Sequence, residues 1–376
     1  MATAPLSMGM VGGGRDAFIG GVHRSAALMD GRITFVAGAL SSTPEKSLAS
    51  GRDLGLTDDR NYPSWQAMIK GELARGDDAI DFVTIVTPNH THFEIALGFV
   101  EAGFNVVLDK PMCMTVDEAN RLVDAVETAG VLLCVTYNYT GYPMVKEARH
   151  LVASGAIGDV RKVIVEYHQG WLAEALEETG QKQASWRTNP ALAGAGGAIG
   201  DIGSHAENLL RYVTGTEIEG LCADLTSFIS GRALDDDASV LLRLEGGGRG
   251  ILTTSQVCVG QHNDLRLRVW GTAGGLTWHQ EDPNTLTVTH ADGPDQVYHR
   301  GAAGLCDAAV AATRLPAGHP EAFIEAFGNL YAAVTEAILN GETTGDFPTA
   351  VDGAAGVAFI HACVTSSEKG HAWCGV

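Results

Sequence analysis

Three side chains in this sequence have the types and settings to move a proton: Lys110, Asp201 and His205. Lys110 lies in Asp109-Lys-Pro111, directly after the apolar run Asn105–Leu108. A strand ending there would present the amine at the carboxyl edge of a sheet, where open α/β sheets hold their ligands. An amine half-buried beside another positive charge has its charged form disfavoured, so it can trade a proton with a hydroxyl near neutral pH. Asp201 and His205 stand four apart where the glycine-rich stretch Gly194–Gly203 enters a helix, which would put both on one face. The imidazole suits acid/base work, with the carboxylate orienting a substrate or tuning the charge. Taken singly, each motif has a plainer reading: a lysine bridged to Asp109, or a capping Asp beside a core His.

A second constellation suits a dinucleotide. Gly12-Gly-Gly14 follows the apolar run Leu6–Val11 and leads through Ala17, Phe18 and Ile19 to Gly20. Glycines let backbone amides approach a pyrophosphate, which the next helix N-terminus also attracts. By strict spacing, the third position of the fingerprint is Ala17. By the residues downstream, it is Gly20, in a loop three residues longer. About twenty residues on, where an acid usually binds the ribose hydroxyls, the chain has Leu40-Ser41-Ser42-Thr43 instead. Hydroxyls accept a ribose or a 2′-phosphate, so NAD and NADP both fit. Thr87-Pro88-Asn89-His90 closes the run Phe82–Val86, and its proline cannot extend a central strand, so the chain turns out there. Asn89 is then placed for a ribose or a carboxamide. His90 and His92 have no cysteine or acid cluster with them, and no metal site is expected. A dinucleotide moving a hydride while the lysine, acid and imidazole move a proton describes a nicotinamide-dependent dehydrogenase.

The elements that must position these groups are legible. Leu6–Val11, Ile33–Ala39, Phe82–Val86, Asn105–Leu108 and Leu132–Tyr137 are short and apolar, as strands buried on both faces are. Between them, Thr91-His-Phe-Glu94 and Thr115-Val-Asp-Glu118 fit the capping box, and Gly103 and Gly130 stop the helices begun there. The first part is α/β, a doubly wound parallel sheet. From Val160 the texture changes. Val160–Tyr167, Gly220–Phe228, Ser239–Leu244, Gly250–Val257, Leu265–Trp270 and Thr285–Thr289 recur with short turns, and several alternate apolar with polar residues. That suits a large, mostly antiparallel sheet with one face covered, here by helices His205–Thr214 and Pro320–Asn340. The expected domains are 1–140, binding NAD(P), and 141–376, binding substrate and holding an oligomer.

The bulk composition excludes several classes. At 376 residues, 45% hydrophobic and 19% charged, this is an ordinary globular chain long enough for two cores. A formal charge of −20 repels nucleic acid and anionic membranes. Met1–Met8 lacks the basic start of a signal peptide, and no stretch of about twenty apolar residues comes after it. The seven cysteines are odd in number, without CxxC spacing, as in a cytoplasmic protein with reduced thiols.

In the order and spacing of its motifs the chain resembles the glucose–fructose oxidoreductase / inositol dehydrogenase family (Gfo/Idh/MocA) over nearly its full length. The matching residues are Gly12–Gly20 with His23, Thr87–His90, Asp109–Pro111, Tyr137-Asn138 with Pro143, and Gly196–His205. The resemblance implies a Rossmann domain, a C-terminal α+β domain whose open sheet mediates dimers or tetramers, NAD or NADP, and sugar, cyclitol or polyol substrates. By motif position it makes Lys110, Asp201 and His205 catalytic. Cofactor contacts would come from Gly12, Gly14, Ala17, Phe18, Ile19 and Gly20, from Ser41 and Ser42, from Thr87, Pro88, Asn89 and His92, and from Asp109 and Lys110. Tyr137, Asn138, His168, Trp171, Trp186 and Arg187 would join the catalytic three around substrate. Gln169-Gly-Trp171 through Ser185-Trp-Arg187 resembles the segment walling the sugar pocket of levoglucosan- and glucoside-oxidising members; either tryptophan suits a pyranose face or a core. Asp109 replaces the family's usual Glu, Asn208 a usual Asp, and Thr140 an arginine, the last weighing against an anionic sugar. A hydrolase or lyase with resident NAD is an alternative, needing an extra base such as Tyr137, His168 or His319. A silent dinucleotide or sugar sensor is another.

Overall fold

The computed structural model describes residues 4–15 and 17–376; Met1–Thr3 of the Met1–Met8 stretch and Asp16 of the glycine loop lie outside the described residues. The chain forms two compact units. In the first, β1 (Leu6–Gly12), β2 (Ile33–Ala39), β3 (Phe82–Val86), β4 (Asn105–Leu108) and β5 (Leu133–Val135) make a parallel sheet in the order β2-β1-β3-β4-β5. Every residue of the central strand β3 is buried, as in a parallel sheet covered on both faces. The crossovers carry α1 (Phe18–Leu28), α2 (Pro44–Asp53), α3 (Trp65–Leu73), α4 (His92–Glu101) and α5 (Val116–Ala129).

The second capping box forms: Thr115 Oγ1 accepts from the Glu118 amide at 3.2 Å, and the Glu118 carboxylate accepts from the Thr115 amide at 3.1 Å. The first does not. A 3₁₀ turn, Asn89–Thr91, precedes α4, so the Thr91 hydroxyl turns back to Thr87 Oγ1 and the Pro88 carbonyl, each at 2.8 Å. β5 is shorter than Leu132–Tyr137. The amides of Val135 and Thr136 go to Pro348 and Leu108, and the chain leaves the sheet there.

The first unit runs to Asn138 and regains Phe327–Ala354, so compactness does not follow one cut near residue 140. Within it, Tyr331 explains the return: its buried ring lies 6.2 Å from Phe82, and its hydroxyl reaches Thr84 Oγ1 at 3.1 Å.

The second unit comprises Tyr139–Ala326 and Ala355–Val376. Its sheet joins β6 (Val160–His168), β7 (Ile218–Thr226), β8 (Asp237–Leu244), β9 (Arg249–Ser255), β10 (Asp264–Gly271), β11 (Gly274–His279), β12 (Thr285–His290) and β13 (Gln296–His299). The order is β13-β12-β11-β10-β6-β9-β8-β7, antiparallel except between β6 and β9. One face is apolar (Val163, Val165, Leu242, Leu252, Leu267) and lies in one core with residues of α6 (Pro143–Ala153) and α9 (Ser204–Thr214). α7 (Lys182–Arg187), α8 (Pro190–Ala193) and α10 (Asp307–Ala311) are short.

Helix α11 (Phe323–Asn340) starts three residues later than Pro320, where the Ala322 amide meets the Glu325 carboxylate at 2.9 Å. Helix α12 (Ala350–Glu368) is the one helix among the described residues with the length and composition to cross a membrane. Its Phe359, Ile360 and Cys363 belong to the second unit's core, as in a buried helix of a globular protein.

Candidate active site

The first unit gathers the dinucleotide motifs at the carboxyl edge of its sheet. Gly12 ends β1, Thr87 follows β3, and Asp109-Lys110 follows β4. Gly12 pairs with Val86, and Ile85 with Leu108, so the three motifs lie side by side. The glycine ambiguity resolves at Gly20. A Cβ there would lie 2.3 Å from Gly13 Cα, so Gly20 is the residue that lets α1 pack onto the loop. Gly12 has φ +82°, and a Cβ on it would meet Thr87 Cγ2 at 2.9 Å. Ala17 is the N-cap of α1, and among the described residues neither a side-chain cap nor an acid serves that first turn. Its amides are thus open to an anion, and with the cradle that a Cβ would fill they fit a pyrophosphate. Phe18 is exposed, Ile19 partly so.

Past β2, the Leu40 amide and the Tyr62 carbonyl are both tied to Ser47 Oγ, at 2.8 and 2.7 Å, leaving Ser41 half-buried and Ser42 exposed. Pro88 is exposed and Asn89 buried. His92 differs from expectation. Its Nδ1 lies 2.8 Å from the Pro111 carbonyl and its Nε2 2.8 Å from that of Thr87. Both ring nitrogens thus face the chain's own backbone. His92 ties the loop after β3 to the loop after Lys110 rather than reaching a cofactor with its ring. Burial lowers its proton affinity, against a rise from nearby Asp109 and the two carbonyls.

Asp109 fixes the lysine's backbone: its Oδ1 accepts from the Lys110 amide at 2.9 Å and from Thr136 Oγ1 at 3.1 Å. The Lys110–Pro111 bond is cis. Tyr137 and Asn138 follow β5 after Thr136 and are both buried.

In the second unit the later part of the glycine-rich stretch is itself helical: Ile199–Gly203 forms a π-type turn running straight into α9. Asp201 sits on that turn. Its Oδ2 accepts from Arg187 Nε at 3.2 Å and Gln256 Nε2 at 2.9 Å, so two expected substrate contacts, Asp201 and Arg187, are brought together. The Arg187 guanidinium stacks 4.3 Å over the Trp186 ring. His205 is buried, with its ring edge-on to Tyr139 at 4.9 Å and to Tyr167 at 6.3 Å.

His168 is corrected. Successive strand residues face opposite ways; Tyr167 faces His205, so His168 points to the other side of the sheet, where Nε2 meets Thr253 Oγ1 at 3.2 Å. It belongs to neither the substrate wall nor a reserve base. His319 is exposed, and its backbone carbonyl takes a hydrogen bond from Arg300.

One positioning residue escaped sequence reading. Asp235 accepts from the Gly197 amide at 2.6 Å and the Ile199 amide at 2.8 Å, and its backbone carbonyl accepts from Ala198 at 2.9 Å. Desolvation pushes its carboxyl up to about 6, against the pull of those amides. The run Asp235-Asp236-Asp237, three acids ahead of an apolar strand, was the available signal.

Parallel sheet, glycine cradle and edge lysine together define a dinucleotide-binding oxidoreductase fold. The model of the oxidoreductase family with an NAD-binding Rossmann fold matches residues 6–137, and that of the GFO/IDH/MocA C-terminal domain matches 145–277. The chain belongs to the Gfo/Idh/MocA oxidoreductase family. It is 34% identical to the uncharacterized oxidoreductase YfiI of Bacillus subtilis, over 98% of this chain and 96% of that one. It is also similar to an inositol dehydrogenase homologue from Azotobacter vinelandii, over 100% of this chain and 98% of that one. The TM-score is 0.94 at 35% identity for its complex with NAD+. For the complex with NADH and myo-inositol it is 0.91 at 34%. Levoglucosan dehydrogenase of Pseudarthrobacter phenanthrenivorans is 28% identical over 79% of this chain and 78% of its own.

Proposed function

We infer that this protein is an NAD(P)-dependent dehydrogenase that oxidises a secondary alcohol of a sugar, glycoside or cyclitol, or reduces the corresponding ketone. The carrying observation is Lys110 beside the glycine cradle at one sheet edge: an acid/base amine next to the place for a dinucleotide. The named substrates of the similar proteins, myo-inositol and levoglucosan, support polyhydroxylated rings as the class. When bound in the glycine cradle, NAD(P) would supply the acceptor for the carbinol hydride. Lys110 Nζ takes the hydroxyl proton, His205 acts with it as acid/base, and Asp201, held by Arg187 and Gln256, orients the hydroxyls. Asp109 holds the lysine's backbone. The 1–140 and 141–376 portions divide these tasks into cofactor and substrate binding, with Trp171 and Trp186 as candidate stacking surfaces.

The protein is also inferred to be cytoplasmic, since all seven of its cysteines are free thiols, and homo-oligomeric through the bare face of the second sheet.

The test is reduced-nicotinamide absorbance across sugars, glycosides and inositols, with NAD and NADP in separate wells. A rise with one class supports the reading. Product formed without net change in nicotinamide would replace it by the resident-cofactor hydrolase or lyase, and dinucleotide binding without turnover by the sensor. Lys110→Met should leave dinucleotide affinity within a few-fold and lower kcat by about two decades or more, the scale of a lost acid/base group. Near-wild-type kcat would remove Lys110 from the mechanism.

A further inference from the structure

Five buried or half-buried side chains of the second unit form one hydrogen-bonded chain, and of these only Gln169 and Trp171 lie in a motif. Its direction is set by donor counting. The Trp171 indole N–H can only donate, and it does so to Gln169 Oε1 at 2.9 Å. That fixes the glutamine amide, whose Nε2 donates to Asn263 Oδ1 at 2.8 Å. Asn263 is fixed in turn, so its Nδ2 donates to the Tyr139 oxygen at 3.1 Å. Tyr167 gives its single proton to Asn263 Oδ1 at 2.6 Å and must therefore accept from Tyr139, 2.5 Å away. Tyr139, Tyr167 and Asn263 close a ring in which each group gives one proton and takes one. Burial pushes the Tyr139 phenol up to about 12 and raises that of Tyr167 well above its ordinary value, so both keep the protons the ring requires.

The two ends of this chain matter. One is Trp171, held by a backbone ladder that continues beyond β6: Gln169 to Ser255 at 2.8 Å, Gly170 to Gln261 and Leu172 to Gln256, both at 3.0 Å. A Cβ on Gly170 would lie 2.5 Å from the Cys258 carbonyl, so the segment has one way to lie. The other end is His205, whose ring rests edge-on against Tyr139. Hydrogen bonds in such a network polarise and orient one another.

We propose that Gln169 and Asn263 are positioning residues that lock Trp171 to Tyr139 and thereby set the imidazole of His205. Contact of a ring substrate with Trp171 is then transmitted to the acid/base group through a directed network. This rests on the dehydrogenase reading for its kinetic part only.

The experiment compares wild type with the single variants Trp171→Phe and Gln169→Glu, and, for the cycle, with Asn263→Asp alone and combined with Trp171→Phe. Trp171→Phe keeps an aromatic ring and deletes the lone donor that sets the direction. Gln169→Glu still accepts from the indole but has no N–H for Asn263. With isotope-labelled histidine, the His205 NMR titration should shift in both single variants while the melting temperature stays near wild type. No substrate is needed for this arm, so it stands even if no sugar is turned over. On an oxidised sugar or cyclitol, kcat should fall, not KM alone. Trp171→Phe and Asn263→Asp should be non-additive in kcat/KM by about five-fold or more, as for groups in one network. An unmoved His205 titration in both single variants overturns the proposal. So do additive losses confined to KM, which would make Trp171 a stacking surface acting alone.

Discussion

At the scale of single residues, the buried groups near the glycine loop make a measurable statement about pH. His23 sits on α1 with Nδ1 2.8 Å from the Tyr331 hydroxyl and its ring against Phe327; its Nε2 has no hydrogen-bond partner among the described residues. Burial lowers it from 6.5 to about 4, Asp109 opposing and Arg24 reinforcing. The folded imidazole therefore stays neutral while an unfolded one takes up a proton. Its contribution is intact above the unfolded value near 6.5 and is lost as pH falls toward about 4. A shift of that size corresponds to roughly 3 kcal/mol of stability removed across the window. Denaturant midpoints of wild type and His23→Gln, taken at intervals over that range, should show a steeper acid decline for wild type. Parallel declines would mean that His23 titrates alike folded and unfolded. The same residue shows why a motif match is not a role. His23 belongs to the pattern that carries the family resemblance, yet its bonds are to Tyr331, far away in sequence.

At the scale of elements, the glycine-rich entry to α9 is the segment whose rigidity the site depends on. Asp235 holds its first turn through two side-chain bonds and one backbone bond, and Asp201 hangs on that turn through its amide to the Gly197 carbonyl at 2.9 Å. Asp235→Asn replaces one acceptor by an N–H that faces another N–H. It should cost about 1–3 kcal/mol of stability, as an unmet buried donor does. It should also lower kcat by about ten-fold or more through Asp201 and His205, the turn no longer being held. Dinucleotide affinity should not move. A lowered melting temperature with unchanged kcat would make Asp235 a stabilising residue only. Asp235 also marks the limit of sequence reading here. Strands β1, β3 and β4 were legible because burial on both faces writes a mostly apolar run, the edge strand β2 because its run Phe35–Ala39 is apolar, and α5 because its capping box is local. β11 and β13 were not: Gly274–His279 opens on two glycines, and Gln296–His299 is an edge strand with little apolar content. Lys110, Asp201 and Arg187 lay in motifs that could be found by spacing. Gln256, Asp235 and the facing of His168 depend on which strands lie beside one another, and no local pattern encodes that.

At the scale of the whole molecule, the proposed assembly of copies turns on the bare face of the second sheet. Its residues alternate with the core positions, and the register aligns them in rows across the strands. Leu241 pairs with Ile251, and Ile251 with Ile164, giving an apolar stripe in which Leu241 is 49% exposed. On one side of the stripe lies a basic row, Arg243 paired with Arg249 and Arg249 with Lys162. On the other lies a row in which Asp224 and Glu166 are joined through Ser239 and Thr253 and which Arg266 extends, while Arg268 continues the stripe beside Ile164 and pairs with Glu166. A two-fold axis along the stripe would set the basic row of one copy against the acidic row of the other, apolar on apolar. That is the self-complementarity an isologous interface requires, with Lys162 of one copy set against Glu166 of the other. Leu241→Glu with Ile251→Glu puts two carboxylates in the stripe without touching the opposite, core-facing side. Wild type should sediment as a dimer or larger, and the double variant as a monomer with its melting temperature close to wild type. A monomeric wild type, or an assembly unchanged by the two glutamates, would move the interface to another surface. Raising salt should weaken assembly of the wild type only modestly, because exposed charge rows are screened within about a Debye length while the buried stripe is not. Dissociation at moderate salt would mean that the rows, rather than the stripe, hold the copies together.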